Sequence, residues 1–160
     1  MVKHSRWGLA TDGGAMKCAA ITAEEFATYK LHRGDVLFNR TNSIEHVGKT
    51  GLFDLEGDYC FASYLVRVVP DPQKVLLLFL TCMVNSTEFQ TEAKGKAAKA
   101  INQANINATT MKNVRVPVPP LPEQKRFVAR IEALEAEIAT ARATLAAAPA
   151  MKETILNKYL

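Results

Sequence analysis

The residues best suited to catalysis are two carboxylates and a lysine. Pro70-Asp71 precedes Glu92-Ala93-Lys94, and the two carboxylates are twenty-one residues apart. This pattern is found in metal-dependent nucleases, where carboxylates bind Mg²⁺ and the lysine orients water. Such residues need adjacent strands, but the sequence predicts one helix from Asp71 to about Gly95. That helix would hold Asp71 and Glu92 roughly 30 Å apart, at about 1.5 Å per residue. We therefore predict no catalytic residues.

The sequence lacks other patterns typical of enzymes and cofactor sites. It contains no Walker sequence, no Gly-rich loop for S-adenosylmethionine and no Asn-Pro-Pro-Tyr. None of its three histidines has a carboxylate or a second histidine at the spacing expected of a shared metal site. Its three cysteines are widely spaced among apolar neighbours, which predicts buried free thiols and no zinc site. We predict a protein that is not an enzyme and that holds no cofactor.

Residues 94–112 have the composition of a binding surface. This segment contains four lysines and no acidic residue, whereas the whole chain has 20 Lys and Arg against 16 Asp and Glu. Lysines contact phosphates and amides read base edges, so the segment favours a polyanionic partner. A solvated loop would be equally polar. The candidate DNA contacts in this segment are Lys94, Lys96, Lys99, Asn102, Gln103 and Asn105.

A second polar cluster follows a predicted strand. Asn and Ser also occur in ordinary turns, whereas an arginine in such a loop can bind guanine or a phosphate with two hydrogen bonds. A lysine between two glycines on the next predicted strand could face either way. The candidate contacts in this cluster, of which the arginine is foremost, are Arg40, Thr41, Asn42, Ser43 and Lys49.

The elements that must position these residues predict an α+β fold. A capping box at residues 22–25 predicts a short helix through residue 29. Strands are predicted near residues 16–20 and over residues 36–39, 47–53, 59–69 and 114–116, with a turn at residues 33–35. Pro72 should open the helix that ends near Gly95. Strands bracket helices without a repeating βαβ unit, which is typical of the α+β class.

The last forty residues predict one long helix with a narrow apolar seam. The apolar side chains recur at alternating spacings of four and three, a heptad pattern that favours one long partner helix. The alternative is a helix packed on its own domain. Pro149 should break or kink the helix before a second piece at residues 151–160. The residues predicted to mediate dimerisation are Phe127, Ile131, Leu134, Ile138 and Leu145.

Length and composition describe an ordinary globular chain with an appendage. The 160 residues are 48% hydrophobic and 22% charged, which is typical of soluble domains. No apolar run approaches the ~20 residues of a membrane span, and no secretory signal is recognisable. We expect a cytoplasmic protein with no membrane contact, divided into a domain over residues 1–121 and a helix over residues 122–160.

Three stretches of the sequence resemble a known family. Residues 31–43, 47–49 and 106–126 closely resemble the specificity (S) subunit of type I restriction-modification enzymes. Order and spacing match from about residue 21 to residue 160. The most specific signature is a Pro-rich segment followed by Pro122-Glu123-Gln124 and a heptad helix.

The resemblance implies a fold, a function and partners. In that family a target recognition domain reads half of a bipartite DNA site in the major groove. Conserved helices form an antiparallel coiled coil that separates two such domains and docks methyltransferase subunits. This chain resembles a half-subunit with one recognition domain, lacking its usual first strands, and one spacer helix. The implied partners are double-stranded DNA, methyltransferase subunits, the restriction/translocase subunit and a second copy of the chain.

Three functions are therefore considered. The first is a DNA-recognition module that dimerises and delivers methyltransferase subunits to a bipartite site. The second is an assembly or regulatory protein that pairs through its helix with a full specificity subunit without reading DNA. The third and remotest is the metal-dependent nuclease.

Overall fold

The computed structural model describes residues 3–4, 10–11, 20–100 and 103–159, with the backbone alone at residues 3–4, 10–11, 99 and 100. The chain forms two compact units, Met1–Leu121 and Pro122–Leu160. The predicted α+β class with a long C-terminal helix is confirmed. Asn102 and the strand predicted near residues 16–20, apart from residue 20, lie outside the described residues.

The first unit contains short strands and four helices within the described residues. In chain order they are β1 (Lys3–His4), β2 (Ala10–Thr11), α1 (Ala23–Tyr29), β3 (Val36–Asn39), β4 (Thr41–Asn42), β5 (Thr50–Leu52), β6 (Leu65–Val68), α2 (Leu77–Val84), α3 (Thr87–Gly95), β7 (Ala98–Ala100), β8 (Gln103–Asn105) and α4 (Ala108–Lys112).

The strands form small antiparallel sheets. One has the order β5-β3-β6, one has the order β4-β8-β7, and β1 pairs with β2. Arg40 connects the two three-stranded sheets, because its N–H donates to the Tyr64 carbonyl at 2.9 Å and its own carbonyl accepts from the Ile106 N–H at 2.8 Å. The backbone of this residue is therefore fixed on both sides.

Strand β3 passes through the core and is buried on both faces. Phe38 is fully buried in a cluster with residues of α2, α3 and β8 and packs edge-to-face on Phe89, with ring centroids 6.5 Å apart. Leu37 points into a smaller cluster with Leu31 and Phe53. Burying each such side chain contributes about 1.5–3 kcal/mol. The strand that leads into Arg40 is thus among the most firmly held parts of the unit.

Several local predictions are confirmed. The N–H of Glu25 donates to the Thr22 hydroxyl, and the Glu25 carboxylate accepts from the Thr22 N–H, so the capping box opens α1 as predicted. The turn at residues 33–35 is present with Gly34 at φ +93°, a conformation that favours glycine. Strand β3 has the predicted bounds.

The helix predicted from Asp71 to Gly95 is wrong at its start and its middle. Asp71 accepts from the Gln73 N–H within a turn, and the first helix begins only at Leu77. This helix ends at Val84, and Ser86 caps a second helix by accepting from the Phe89 N–H at 3.3 Å. Only the predicted end near Gly95 is confirmed.

Other strand predictions need correction. Residues 47–53 contain only β5, because residues 44–48 form a turn, and residues 114–116 form no strand. The prediction over residues 59–69 spans two separate pairings. The segment around Cys60 bridges to Lys30, whereas β6 begins at Leu65. Cys60 is exposed and Cys82 is half-buried, so the prediction of buried thiols is wrong for Cys60, and Cys18 lies outside the described residues.

The second unit is one helix, α5 (Leu121–Tyr159). Pro149 lies inside it, so the predicted break there, with a separate helical piece after it, is wrong. None of the helices in the described parts of the chain has the length and apolar character needed to cross a membrane.

Candidate nucleic-acid interface

Arg40 combines a fixed backbone with an uncommitted side chain. The residue is half-buried. Its Nε atom is buried and has no hydrogen-bond partner among the described residues, where its side chain also forms no ion pair. By contrast, Arg33 pairs with Asp54 at 2.7 Å. A buried N–H without a partner costs about 1–3 kcal/mol, so a change of the Arg40 side-chain conformation that gave Nε an acceptor would recover stability.

The residues after Arg40 form a strand where a loop was predicted. β4 pairs with β8, with Thr41 opposite Asn105 and Asn42 opposite Ala104. The Asn105 Nδ2 donates to the Thr41 hydroxyl at 2.8 Å. The two polar clusters that the sequence analysis treated separately therefore meet across one small sheet. Gln103 is exposed at the end of β8, and Asn105 is half-buried.

A turn follows β4 and carries further candidate residues. The Ser43 hydroxyl lies 3.2 Å from His46 Nδ1. A hydrogen bond from the Ser43 side chain, aided by the Glu45 N–H, lowers the pKa of the Glu45 carboxyl. Asn42 accepts from the Ser43 N–H at 2.8 Å, and Lys49 is exposed at the end of the turn. Hydroxyl, imidazole, carboxylate and ammonium groups thus share a short surface segment.

The lysines of residues 94–112 differ in their surroundings. Lys94 Nζ donates to the Glu45 carbonyl at 3.4 Å, which places it against the turn after β4. Lys96, just after α3, forms an ion pair with Glu92 of that helix, so its charge is partly neutralised. Lys99 lies on β7, where only the backbone is described. Lys112, at the end of α4, is exposed and forms no ion pair with the described residues.

The sequence analysis did not identify three residues that lie at or support the candidate interface, namely Tyr64, Asn85 and Gln90. Tyr64 is 43% exposed and lies opposite Arg40 through their backbone hydrogen bond. Asn85 and Gln90 bind the backbone around the turn after β4. The sequence carries no signal for these contacts, because each depends on the pairing of segments that are distant in the chain.

The residues of the nuclease-like pattern, which the sequence analysis set aside, are not arranged on adjacent strands. Asp71 lies in a turn, whereas Glu92 lies on α3 and pairs with Lys96. The single continuous helix from which their separation was predicted is wrong, because the segment forms two helices that begin only at Leu77. Within the described part of the chain, no group of three or more His, Cys, Asp or Glu side chains could hold a metal ion.

The apolar seam of α5 is accessible to solvent. Phe127 is 36%, Leu134 39% and Leu145 75% exposed, while Ile131 and Ile138 are half-buried. Further along the helix, Ile155 and Tyr159 continue the heptad spacing and are also exposed. Leaving such a row in water is costly, so the seam is suited to a partner helix.

Sequence comparison places this arrangement in a known class. The profile of the family described as type I restriction modification DNA specificity domain matches residues 15–148. This match covers most of the chain, and the chain therefore belongs to that family.

Two curated relatives agree. The chain is 32% identical over 108 residues to the MjaX type I restriction enzyme specificity subunit of Methanocaldococcus jannaschii, a match covering 67% of this chain and 25% of the relative. It is 30% identical over 116 residues to the type I restriction enzyme StySPI specificity subunit of Salmonella potsdam, covering 71% and 25%. The chain matches about a quarter of the length of each relative.

Proposed function

We propose that this chain is the DNA-recognition part of a type I restriction-modification enzyme, with no catalytic role of its own. Family membership supports a DNA specificity role. The observation that carries the proposal is Arg40, whose backbone is hydrogen-bonded to residues that flank two sheets while its guanidinium Nε has no hydrogen-bond partner among the described residues. Base reading needs a fixed side chain with free donors.

The proposed interface extends from Arg40 along two neighbouring segments. Thr41 and Asn105 offer hydroxyl and amide groups on β4 and β8, and Lys49 and Lys94 border them on the turn and on α3. In this arrangement the amides and Arg40 read base edges, whereas the lysines contact phosphates and fix the position of the domain on DNA. The remaining candidate contacts are Asn42, Ser43, Lys96, Lys99, Asn102 and Gln103.

The second part of the proposal is dimerisation through helix α5. One recognition domain reads one half-site, so two copies are needed for a bipartite site. We propose an antiparallel homodimer through residues 123–148, the orientation implied by the family. The methyltransferase and restriction/translocase subunits dock on the resulting assembly in the cytoplasm and supply the chemistry.

The proposal is tested by the loss of discrimination in Arg40→Ala. A duplex enriched from a random library is compared with a random-sequence duplex in gel-shift titrations at one salt concentration. If Arg40 reads a base, the variant loses about 1–3 kcal/mol on the enriched duplex and much less on random DNA. Arg33→Ala is the matched control, because it removes an arginine that precedes β3. It should change the affinity for either duplex by much less than Arg40→Ala changes the affinity for the enriched duplex.

Two outcomes would contradict this assignment. Equal losses on both duplexes would make Arg40 a phosphate contact. Binding to no duplex by the unaltered chain, with retained pairing to a full specificity subunit, would favour the assembly protein that uses only its helix.

A further inference from the structure

The turn between β4 and β5 is held by side chains from α3 and from the break that precedes it. Within residues 43–49, the Val47 N–H donates to the Ser43 carbonyl at 2.8 Å and the Gly48 N–H to the Asn39 carbonyl at 2.7 Å. Val47 is buried, whereas Ile44, Glu45 and His46 are exposed. The turn thus has one apolar anchor and an exposed polar rim, and its shape depends on what holds its backbone.

Gln90 of α3 binds the end of this turn directly. Its Nε2 donates to the Gly48 carbonyl and to the Val84 carbonyl, both at 2.8 Å. Gly48 has φ +85°, and a Cβ at that position would lie 2.7 Å from Gln90 Oε1. The side-chain amide therefore packs closely on the glycine backbone and ties the turn to the last residue of α2.

Two further side chains hold the same segment. Asn85 accepts from the Thr50 N–H at 3.0 Å and donates to the Thr50 carbonyl at 2.8 Å, as a neighbouring strand would at the edge of β5. Lys94 donates to the Glu45 carbonyl at 3.4 Å. The break between α2 and α3 places Asn85 there, whereas the first turn of α3 places Gln90 and its last turn places Lys94.

We propose that Gln90 is a positioning residue for DNA discrimination. This inference rests on the proposed function. Gln90, assisted by Asn85 and Lys94, holds the 43–49 turn in one arrangement, so that Ser43 and Lys49 meet DNA at a fixed distance from Arg40. Without the two donated hydrogen bonds, the turn samples other arrangements and binds correct and incorrect sequences more equally.

The test uses the full 160-residue chain and two Gln90 variants. Gln90→Glu keeps the shape and removes both donated hydrogen bonds, and Gln90→Ala removes the side chain without adding charge. Thr91→Ala, at the next and exposed position of α3, is the matched control. Amide hydrogen exchange of the free protein reports the order of the turn. Titrations with an enriched duplex and a random-sequence duplex report the affinity ratio.

We expect faster exchange at the Val47 and Gly48 amides, by about tenfold, in both Gln90 variants. The ratio of affinities should fall about tenfold, equivalent to ~1.4 kcal/mol, with random-DNA affinity retained in Gln90→Ala. Thr91→Ala should match the unaltered chain in both measurements.

Unchanged exchange, or an unchanged affinity ratio despite faster exchange, would overturn the role of Gln90 alone. If the unaltered chain enriches no duplex, the proposed function fails before any variant is compared. The two failures are therefore distinguishable.

Discussion

Arg40 shows how one residue can be both rigid and available. Its N–H and carbonyl each complete a hydrogen bond to a different sheet, so its Cα has little freedom. Its Nε is buried without a partner among the described residues, so the side chain would gain from a rearrangement that gives this group an acceptor. This combination suits recognition better than an internal ion pair such as that of Arg33 with Asp54.

The lysines of residues 94–112 should differ in their contributions to the salt dependence of DNA binding. Each phosphate contact contributes about 0.9 to the slope of log affinity against log salt. We expect Lys112→Ala to lower the slope by about that amount, because Lys112 has no ion pair within the described residues. Lys96→Ala should lower it less, because Glu92 already pairs with Lys96. Titrations on one duplex at several salt concentrations measure both slopes.

Equal reductions in the two variants would mean that the Lys96–Glu92 pair opens on DNA. An unchanged slope in both would remove Lys96 and Lys112 from the phosphate contacts.

At the scale of elements, the capping box and the turn that a few neighbouring residues encode were predicted correctly. The pairings between strands that are distant in the sequence were not. The capping box at Thr22 and the turn at Gly34 are encoded within a few residues, so sequence alone identified them. The break at Asn85 was missed because the apolar run before it favoured one long helix, although Ser86 is a good N-cap. Strands β7 and β8 were missed because their alanine and amide composition carries little strand propensity.

The residue types of the candidate site could be predicted from the sequence, but the contacts that bring those residues together could not. Arg40 and the amides could be selected by chemistry alone. The hydrogen bond between Thr41 and Asn105 joins residues 64 positions apart, and the contact of Gln90 with Gly48 depends on the break between α2 and α3. Neither leaves a periodic pattern in the sequence.

The position of Pro149 inside helix α5 can be tested by substitution. A proline inside a helix lacks the N–H that would bond to the carbonyl of Leu145, and its ring crowds that carbonyl, which costs about 3 kcal/mol relative to alanine. Pro149→Ala should therefore increase the helical circular dichroism signal and its resistance to melting. Pro120→Ala, before the helix, is the matched control and should give no gain. An equal gain in the control, or none in Pro149→Ala, would mean that α5 does not extend through this residue in solution.

At the scale of the whole molecule, the proposed homodimer rests on the seam of α5. Changing both Ile131 and Ile138 to Asp should give monomers, because each buried isoleucine contributes about 1.5–3 kcal/mol and an unpaired charge there is costly. Ala133→Asp with Thr140→Asp adds the same charges on another helix face, at heptad positions c, and should leave the dimer intact. Sedimentation at tens of micromolar distinguishes the species.

A monomeric unaltered chain, or a dimeric Ile131→Asp/Ile138→Asp variant, would contradict the coiled coil. The seam would then serve another contact, such as the domain's own core.

The length of the proposed coiled coil also sets the distance between the two DNA half-sites. Residues 123–148 form a helical rod of roughly 39 Å at ~1.5 Å per residue, close to one turn of DNA at ~34–36 Å. An antiparallel pair would hold the recognition domains at opposite ends of this rod. We therefore expect two short half-sites in inverted orientation, with a gap set by the helix.

The central claim, that this chain reads DNA sequence, is tested most directly by sequencing the duplexes that it enriches from a random library. The account predicts a split palindrome, with enrichment greatly weakened in the Ile131→Asp/Ile138→Asp variant and in Arg40→Ala. A pool that stays random after repeated selection by the dimeric chain would contradict the claim.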